Sequence, residues 1–233
     1  KNKIQPKNET IKIINILKKN NVNHIDGAES YEFFKKNNLN ILKNFKIDSK
    51  IFLKEITTYK KLENYFKQKY LDKKIQIDTL FIHDGDKIFK NFQIKKLKVL
   101  YKLKKNKIIS KIGVSIYNFK ILKKIISQFK FDVIQIPYNL VDRRVERYKK
   151  TLHKNKIQIY VRSIFLQGSL LKKVKENEIL TEIYQKVRNF TKKTEQSNFY
   201  ASLNFVLNND FVDKIIVGVR NAREIRKLIN FKI

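Results

Sequence analysis

Four side chains stand out for their types and their placing: Asp26, Tyr31, Lys54 and His83. A carboxylate can hold an ammonium, a phenol can give up a proton, and an imidazole can donate a hydrogen bond. Each also has a plainer reading. Asp26 and Lys54 alone fit a structural ion pair, His83 alone fits a satisfied core histidine, and Tyr31 alone fits the wet side of an amphipathic segment. The joint placing is harder to reach by chance, and it depends on the elements that carry the four residues.

Those elements follow from a hydrophobic pattern that switches between two periods. Short β-branched runs at 51–53, 79–82, 111–114, 133–136, 157–161 and 215–217, with His24-Ile25 ahead of them, predict seven buried parallel strands. Helical spacing is read over 9–20, 59–73, 88–105, 118–129, 141–154, 176–192 and 222–231, with Asn118 as an N-cap. Strict alternation implies a parallel sheet. No Gly-x-Gly-x-x-Gly follows any strand, which disfavours the open dinucleotide-binding sheet. The expected class is therefore α/β, a (β/α)8 TIM barrel with seven of its eight strands identifiable. No linker or composition shift divides the chain, so one domain is expected over residues 1–233. In such a barrel the active site lies at the C-terminal strand ends. Asp26, Lys54 and His83 are read at three successive strand ends, with Tyr31 on the loop beside them.

Composition bounds the rest. Hydrophobic residues make up 42% of the 233, enough for a sizeable core. The net charge of +32 raises the possibility of polyanion binding, but 45 of the 53 basic residues are Lys and they are scattered over nearly every segment, including Lys104-Lys105 and Lys192-Lys193. A solvated lysine coat, as an AT-rich coding sequence would produce, is favoured over a nucleic-acid-binding face. The chain has no Cys, so neither a disulfide framework nor a thiolate metal site is possible, and no metal ligand set is expected. No apolar run approaches the ~18 residues of a membrane span, and no signal peptide is seen. A cytoplasmic protein is expected. The chain opens on Lys1 rather than Met, which suggests that it starts inside a longer reading frame.

The ordered motifs resemble those of the aldo-keto reductases. The family pattern Asp-Thr-Ala-x-x-Tyr-Gly is similar to Asp26-Gly27-Ala28-Glu29-Ser30-Tyr31-Glu32, Lys54 stands in Phe-Leu-Lys-Glu, and His83 stands in Leu-Phe-Ile-His-Asp. Ser115 lies in a Gly-Val-Ser segment, and Gln135 matches the glutamine that hydrogen-bonds the nicotinamide amide. Arg162-Ser163-Ile164-Phe165-Leu166-Gln167-Gly168 resembles the loop over the nicotinamide and pyrophosphate. Gly218, Arg220 and Asn221 resemble the turn that holds an adenosine 2′-phosphate. The resemblance covers about residues 3–231.

It implies hydride transfer from NADPH to an aldehyde or ketone. Tyr31 would be the general acid, and Lys54 would be the cation that makes the phenol, ordinarily near ~10, easier to ionise. Asp26 would hold Lys54, and His83 would orient the carbonyl. Ser115, Gln135, Arg162, Ser163, Leu166, Gly168, Gly218, Arg220 and Asn221 would bind the cofactor. Segments such as Leu-Gln-Gly-x-Leu-Leu resemble bacterial members associated with surface sugars, so a sugar-derived carbonyl is one implied substrate. The chain departs from the family at Gly27, where Thr is usual, and at Glu32-Phe33-Phe34-Lys35, where Gly-x-Ser-Glu is usual. Glu224 aligns where many relatives carry Gln or Arg, and it would repel a 2′-phosphate. The family's first strand, with its Gly-rich end, is not found before residue 24, which implies either an N-terminal extension or a shortened copy. A catalytically impaired cofactor-binding barrel, acting as a scaffold, is the alternative.

Overall fold

A computed structural model describes residues 7–35, 39–89, 94–171, 185, 187–191 and 197–231. In chain order the elements are α1 (Lys7–Lys19), β1 (His24–Asp26), α2 (Glu32–Lys35), β2 (Lys46–Ile51), α3 (Tyr59–Lys69), β3 (Gln76–Ile82), α4 (Ile94–Lys105), β4 (Lys111–Ser115), α5 (Leu122–Gln128), β5 (Val133–Pro137), α6 (Lys149–Lys154), β6 (Gln158–Arg162), α7 (Asn198–Leu207), β7 (Lys214–Ile215) and α8 (Ala222–Ile229). Short 3-10 turns join several of them. Most of the helix expected over 176–192 falls outside the described residues. No described helix is long and apolar enough to cross a membrane.

The chain divides into two compact units, residues 1–115 with 218–233, and residues 116–217. In the first, β1, β2, β3 and β4 pair in that order, all parallel. Residues of β3 and β4 are buried on both faces, including Leu80, Phe81, Ile82, Ile112 and Val114, as the continuous apolar runs require. Helix α1 buries Ile13, Ile14 and Leu17 at helical spacing. Its Glu9 carboxylate accepts from the Ala222 N–H at 2.6 Å, satisfying one of the open donors at the start of α8. In the second unit β5, β6 and β7 pair in parallel. Asn118 accepts from Lys120 N–H at 3.0 Å ahead of α5, the cap expected from the sequence.

Strand β2 differs most from its expected position. The apolar run Ile51-Phe52-Leu53 suggests a strand there, but the strand is Lys46–Ile51 and the chain turns at Leu53–Glu55. The centre of β2 is Asp48-Ser49-Lys50, at most 5% exposed. Three consecutive polar side chains can be buried because each has a partner: His24 for Asp48, Glu29 for Ser49 and Asp26 for Lys50.

Candidate functional site

The first unit carries a buried ion pair at the ends of β1 and β2. Lys50 Nζ lies 2.5 Å from both Asp26 carboxylate oxygens and also donates to the Gly27 carbonyl at 3.1 Å. The Lys50 side chain is 5% exposed and that of Asp26 18%. The ladder fixes this geometry, because Asp26 stands opposite Asp48 and the pleat puts Lys50 on the same face as Asp48. The cation expected beside Asp26 was Lys54, and the structure corrects that position. Lys54 is exposed on the turn after β2, with Nζ 5.9 Å from the Phe52 ring centre. A strand that ends at Ile51 cannot bring a residue three positions later back to its own interior face.

His83 follows β3 directly. Its N–H donates to Ile51 O at 2.8 Å, extending the β2–β3 ladder by one residue, and its ring stacks on Phe52 at 4.6 Å and 14°. Asp84 accepts from Leu53 N–H at 2.8 Å and so ties the turn after β2 to the turn after β3. Tyr31 sits exposed on the turn between β1 and α2, where its N–H donates to Ala28 O at 2.9 Å.

The turn that leads to Tyr31 is anchored by Glu29. The Glu29 carboxylate accepts from Ser49 Oγ, Lys69 Nζ and the Tyr70 hydroxyl, each at 2.5 Å, and from the Tyr65 hydroxyl. Burial and the neighbouring Glu29 carboxylate push the Tyr65 and Tyr70 phenols well above the ordinary tyrosine range. Sequence reasoning did not single out Glu29. The available signal was a carboxylate inside the motif itself, two residues before Tyr31.

The two departures from the family pattern meet at one point. A Cβ on Gly27 would fall 2.2 Å from the Phe34 ring, and Phe34 is 3% exposed. Gly27 is therefore required by Phe34, and the unusual residues on either side of Tyr31 compensate each other. A similar close approach occurs at Gly113, where a Cβ would lie 2.3 Å from the Phe81 ring. Ser115 ends β4 and is 4% exposed.

Beneath the ion pair lies a second polar group. His24 Nε2 is 2.9 Å from Asp48 Oδ2 and 3.9 Å from Asp78 Oδ2, and Lys111 Nζ is 3.4 Å from Asp78 Oδ2. No metal site was expected, yet one ligand atom from each of His24, Asp48 and Asp78 lies within 4.8 Å of the others. Lys111 gives Asp78 a cationic partner, and the His24 imidazole lies against both carboxylates.

Of the residues expected to hold an adenosine 2′-phosphate, Gly218 and Arg220 are exposed. Arg220 pairs with Glu224, with Nη2–Oε1 at 2.9 Å and the backbone N–H on Oε2 at 2.8 Å. Asn221 caps α8, its Oδ1 accepting from Glu224 N–H at 2.9 Å.

In the second unit, Gln135 is fully buried on β5 and its backbone carbonyl accepts from Ile116 N–H at 3.1 Å. Arg162 Nη2 donates to Ile116 O at 3.2 Å, and the guanidinium lies 3.8 Å from the Tyr117 ring centre. After β6 the backbone turns left-handed at Ser163, Leu166, Gln167 and Gly168, with φ of 60, 45, 55 and 86°. Non-glycine residues held there cost on the order of 1–3 kcal/mol each, a cost that clusters at functional loops. Asn139, which sequence reasoning also passed over, supports this loop. Its Nδ2 donates to Ser163 O at 3.0 Å, while its Oδ1 accepts from Val141 and Asp142 N–H at 3.0 and 2.9 Å.

Comparison with known proteins gives one consistent result. The model of the aldo/keto reductase family matches residues 1–232. The holo form of an aldo-keto reductase from Bacillus halodurans superposes with a TM-score of 0.74 at 17% identity, covering 94% of this chain and 79% of the other. A glycerol dehydrogenase from Gluconobacter oxydans gives 0.68 at 15% identity, covering 96% and 80%. An aldo/keto reductase from Klebsiella pneumoniae, solved with NADP and acetate, gives 0.67 at 12% identity, covering 96% and 78%. At these identities the likeness shows the (β/α)8 fold and no more. Among curated proteins none matches the chain in sequence.

Proposed function

Since the chain is a member of the aldo/keto reductase family, we propose that it reduces an aldehyde or ketone to the alcohol with NADPH, using Tyr31 as general acid and Lys50, rather than Lys54, as the cation beside it. The buried Lys50–Asp26 pair carries this reading. A desolvated ammonium held by two carboxylate oxygens and a carbonyl is a fixed cation, and a fixed cation beside a phenol favours phenolate. The nicotinamide supplies the hydride when bound. Tyr31 gives its proton to the carbonyl oxygen as the C=O π bond opens, and Lys50 stabilises the phenolate left behind. Asp26 holds Lys50 and aims it. His83 donates a hydrogen bond to the carbonyl oxygen and orients it.

The chemistry of the donor set supports a nicotinamide cofactor. Ser115 and Gln135 are buried polar groups on strands, suited to a carboxamide. Arg162, Ser163, Leu166 and Gly168 are the residues we propose for the pyrophosphate side. Gly218, Arg220 and Asn221 are those proposed for the adenosine 2′-phosphate. There Glu224 already occupies Arg220, so the phosphate must compete with a carboxylate. The same reading places the enzyme in the cytoplasm and makes a sugar-derived carbonyl the first substrate class to screen.

The test is Tyr31→Phe. Turnover is expected to disappear while quenching of NADPH fluorescence persists with nearly the same dissociation constant. A Tyr31→Phe variant that turns over at the wild-type rate would remove Tyr31 from the chemistry. NADPH binding without turnover by the wild type across an aldehyde panel would favour the cofactor-binding scaffold instead.

A further inference from the structure

We propose that Glu29 is a positioning residue for the reaction, holding the turn that carries Tyr31 in register with Lys50; the proposal rests on the roles given above to those two residues. Glu29 belongs to the turn by sequence, two residues before Tyr31, and to β2 by contact. Its N–H donates to the Lys50 carbonyl at 2.9 Å, and its side chain accepts from Ser49 Oγ at 2.5 Å. Gly27 N–H donates to Asp48 O at 2.7 Å, so residues 27 and 29 carry the β1–β2 ladder beyond Asp26. The anchor thus grips β2 at Asp48, Ser49 and Lys50 in turn.

The other side of the carboxylate is gripped from α3 and the residue after it. Lys69 Nζ donates to Glu29 at 2.5 Å and to the Tyr65 hydroxyl at 2.7 Å, and it lies 5.1 and 5.4 Å from the Tyr65 and Tyr70 ring centres. Tyr70 is fully buried, while Lys69 and Glu29 each have 8% of their side chains exposed. Both carboxylate oxygens of Glu29 are engaged: Oε1 by Ser49 and Tyr70, Oε2 by Tyr65 and Lys69. A buried carboxylate with four donors, one of them a cation, has no free lone pair aimed at a substrate, so its role is geometric. Removing the charge leaves Lys69 without its counter-ion and loosens Ser49, the neighbour of Lys50. Reacting groups displaced by about 1 Å lose roughly a hundredfold in rate.

The experiment compares wild type with Glu29→Gln and Ser49→Ala, using NADPH binding, kcat on a reducible aldehyde and amide hydrogen exchange of residues 27–34. Glu29→Gln keeps the size of the side chain but turns one acceptor into a donor. Ser49→Ala leaves the α3 contacts in place and cuts the side-chain link to β2, so it covers the case in which Glu29→Gln does not fold. Faster exchange at residues 27–31 is expected, with kcat lowered roughly tenfold to a hundredfold and the NADPH dissociation constant within about twofold of wild type. Folded variants with wild-type kcat and wild-type exchange would overturn the proposal. A wild type that reduces no carbonyl, but whose 27–31 exchange quickens in the variants, would remove the proposed function and leave the anchor standing.

Discussion

At Gly27 the absent side chain is as informative as any present one. A methyl group there would lie 2.2 Å from a Phe34 ring that is itself packed out of solvent. Gly27→Thr, which restores the usual family residue, is therefore expected to lower stability by about 1–3 kcal/mol through overpacking. Combined with Phe34→Ala, the added cost of Gly27→Thr should largely vanish, and denaturant unfolding of the four proteins of the cycle measures this coupling. Equal costs in both backgrounds would mean that the two positions are independent. Arg220 gives a second residue-scale expectation. Its guanidinium is bound by Glu224, so Glu224→Gln should tighten NADPH by about tenfold and leave NADH nearly unchanged, as two titrations would show. No selective gain for NADPH would place the 2′-phosphate elsewhere.

Strand β2 decides how much of the site could be read from sequence. Five of the seven expected strands overlap their observed ranges closely, because Leu80, Ile112, Ile134, Ile159 and their neighbours are apolar on both faces. β2 is different, since its buried centre is Asp48-Ser49-Lys50. A search for apolar runs moves past such a strand to Ile51-Phe52-Leu53 and takes the lysine that follows. Only the partners His24, Glu29 and Asp26 make the polar strand reasonable, and these lie 20 to 24 residues earlier in the chain. Helix α7 was missed for another reason. It buries Phe199, Ala201, Leu203 and Val206 around much of its circumference, so it lacks a clear polar face. The α3 segment adds an expectation about pH. Burial, and then Glu29, hold the Tyr70 phenol above its ordinary value of 10.0. A proton kept by the folded chain but lost by the unfolded one contributes stability that is complete below about pH 10 and falls as pH rises further. Denaturant midpoints should hold steady up to about pH 9 and then decline, less steeply in Tyr70→Phe. An identical decline in that variant would assign the effect to other groups.

Across the whole molecule, the charge of +32 and the family membership pull in different directions, and membership carries the function. Most of the described lysines are exposed. Yet Lys50 and Lys69 are buried, each on a carboxylate at 2.5 Å, and they cannot be told from the other 43 by composition. Fold and family were legible because Asp26, Tyr31, His83, Gln135 and the glycine-bearing turns keep their order along the chain. The lysine that pairs with Asp26 was not, because it depends on strand register, which a run of polar residues obscures. The most direct measurement is therefore hydride transfer from NADPH to an aldehyde that the wild type reduces, followed in a single turnover for Lys50→Met and Lys54→Met. Lys50→Met leaves Asp26 without its cation and is expected to cost about 3–5 kcal/mol of stability, so the folded fraction is measured first. In the folded proteins Lys50→Met should be slower by roughly a thousandfold or more, and Lys54→Met should stay within about twofold of wild type. A slow Lys54→Met beside a fast Lys50→Met would contradict the account.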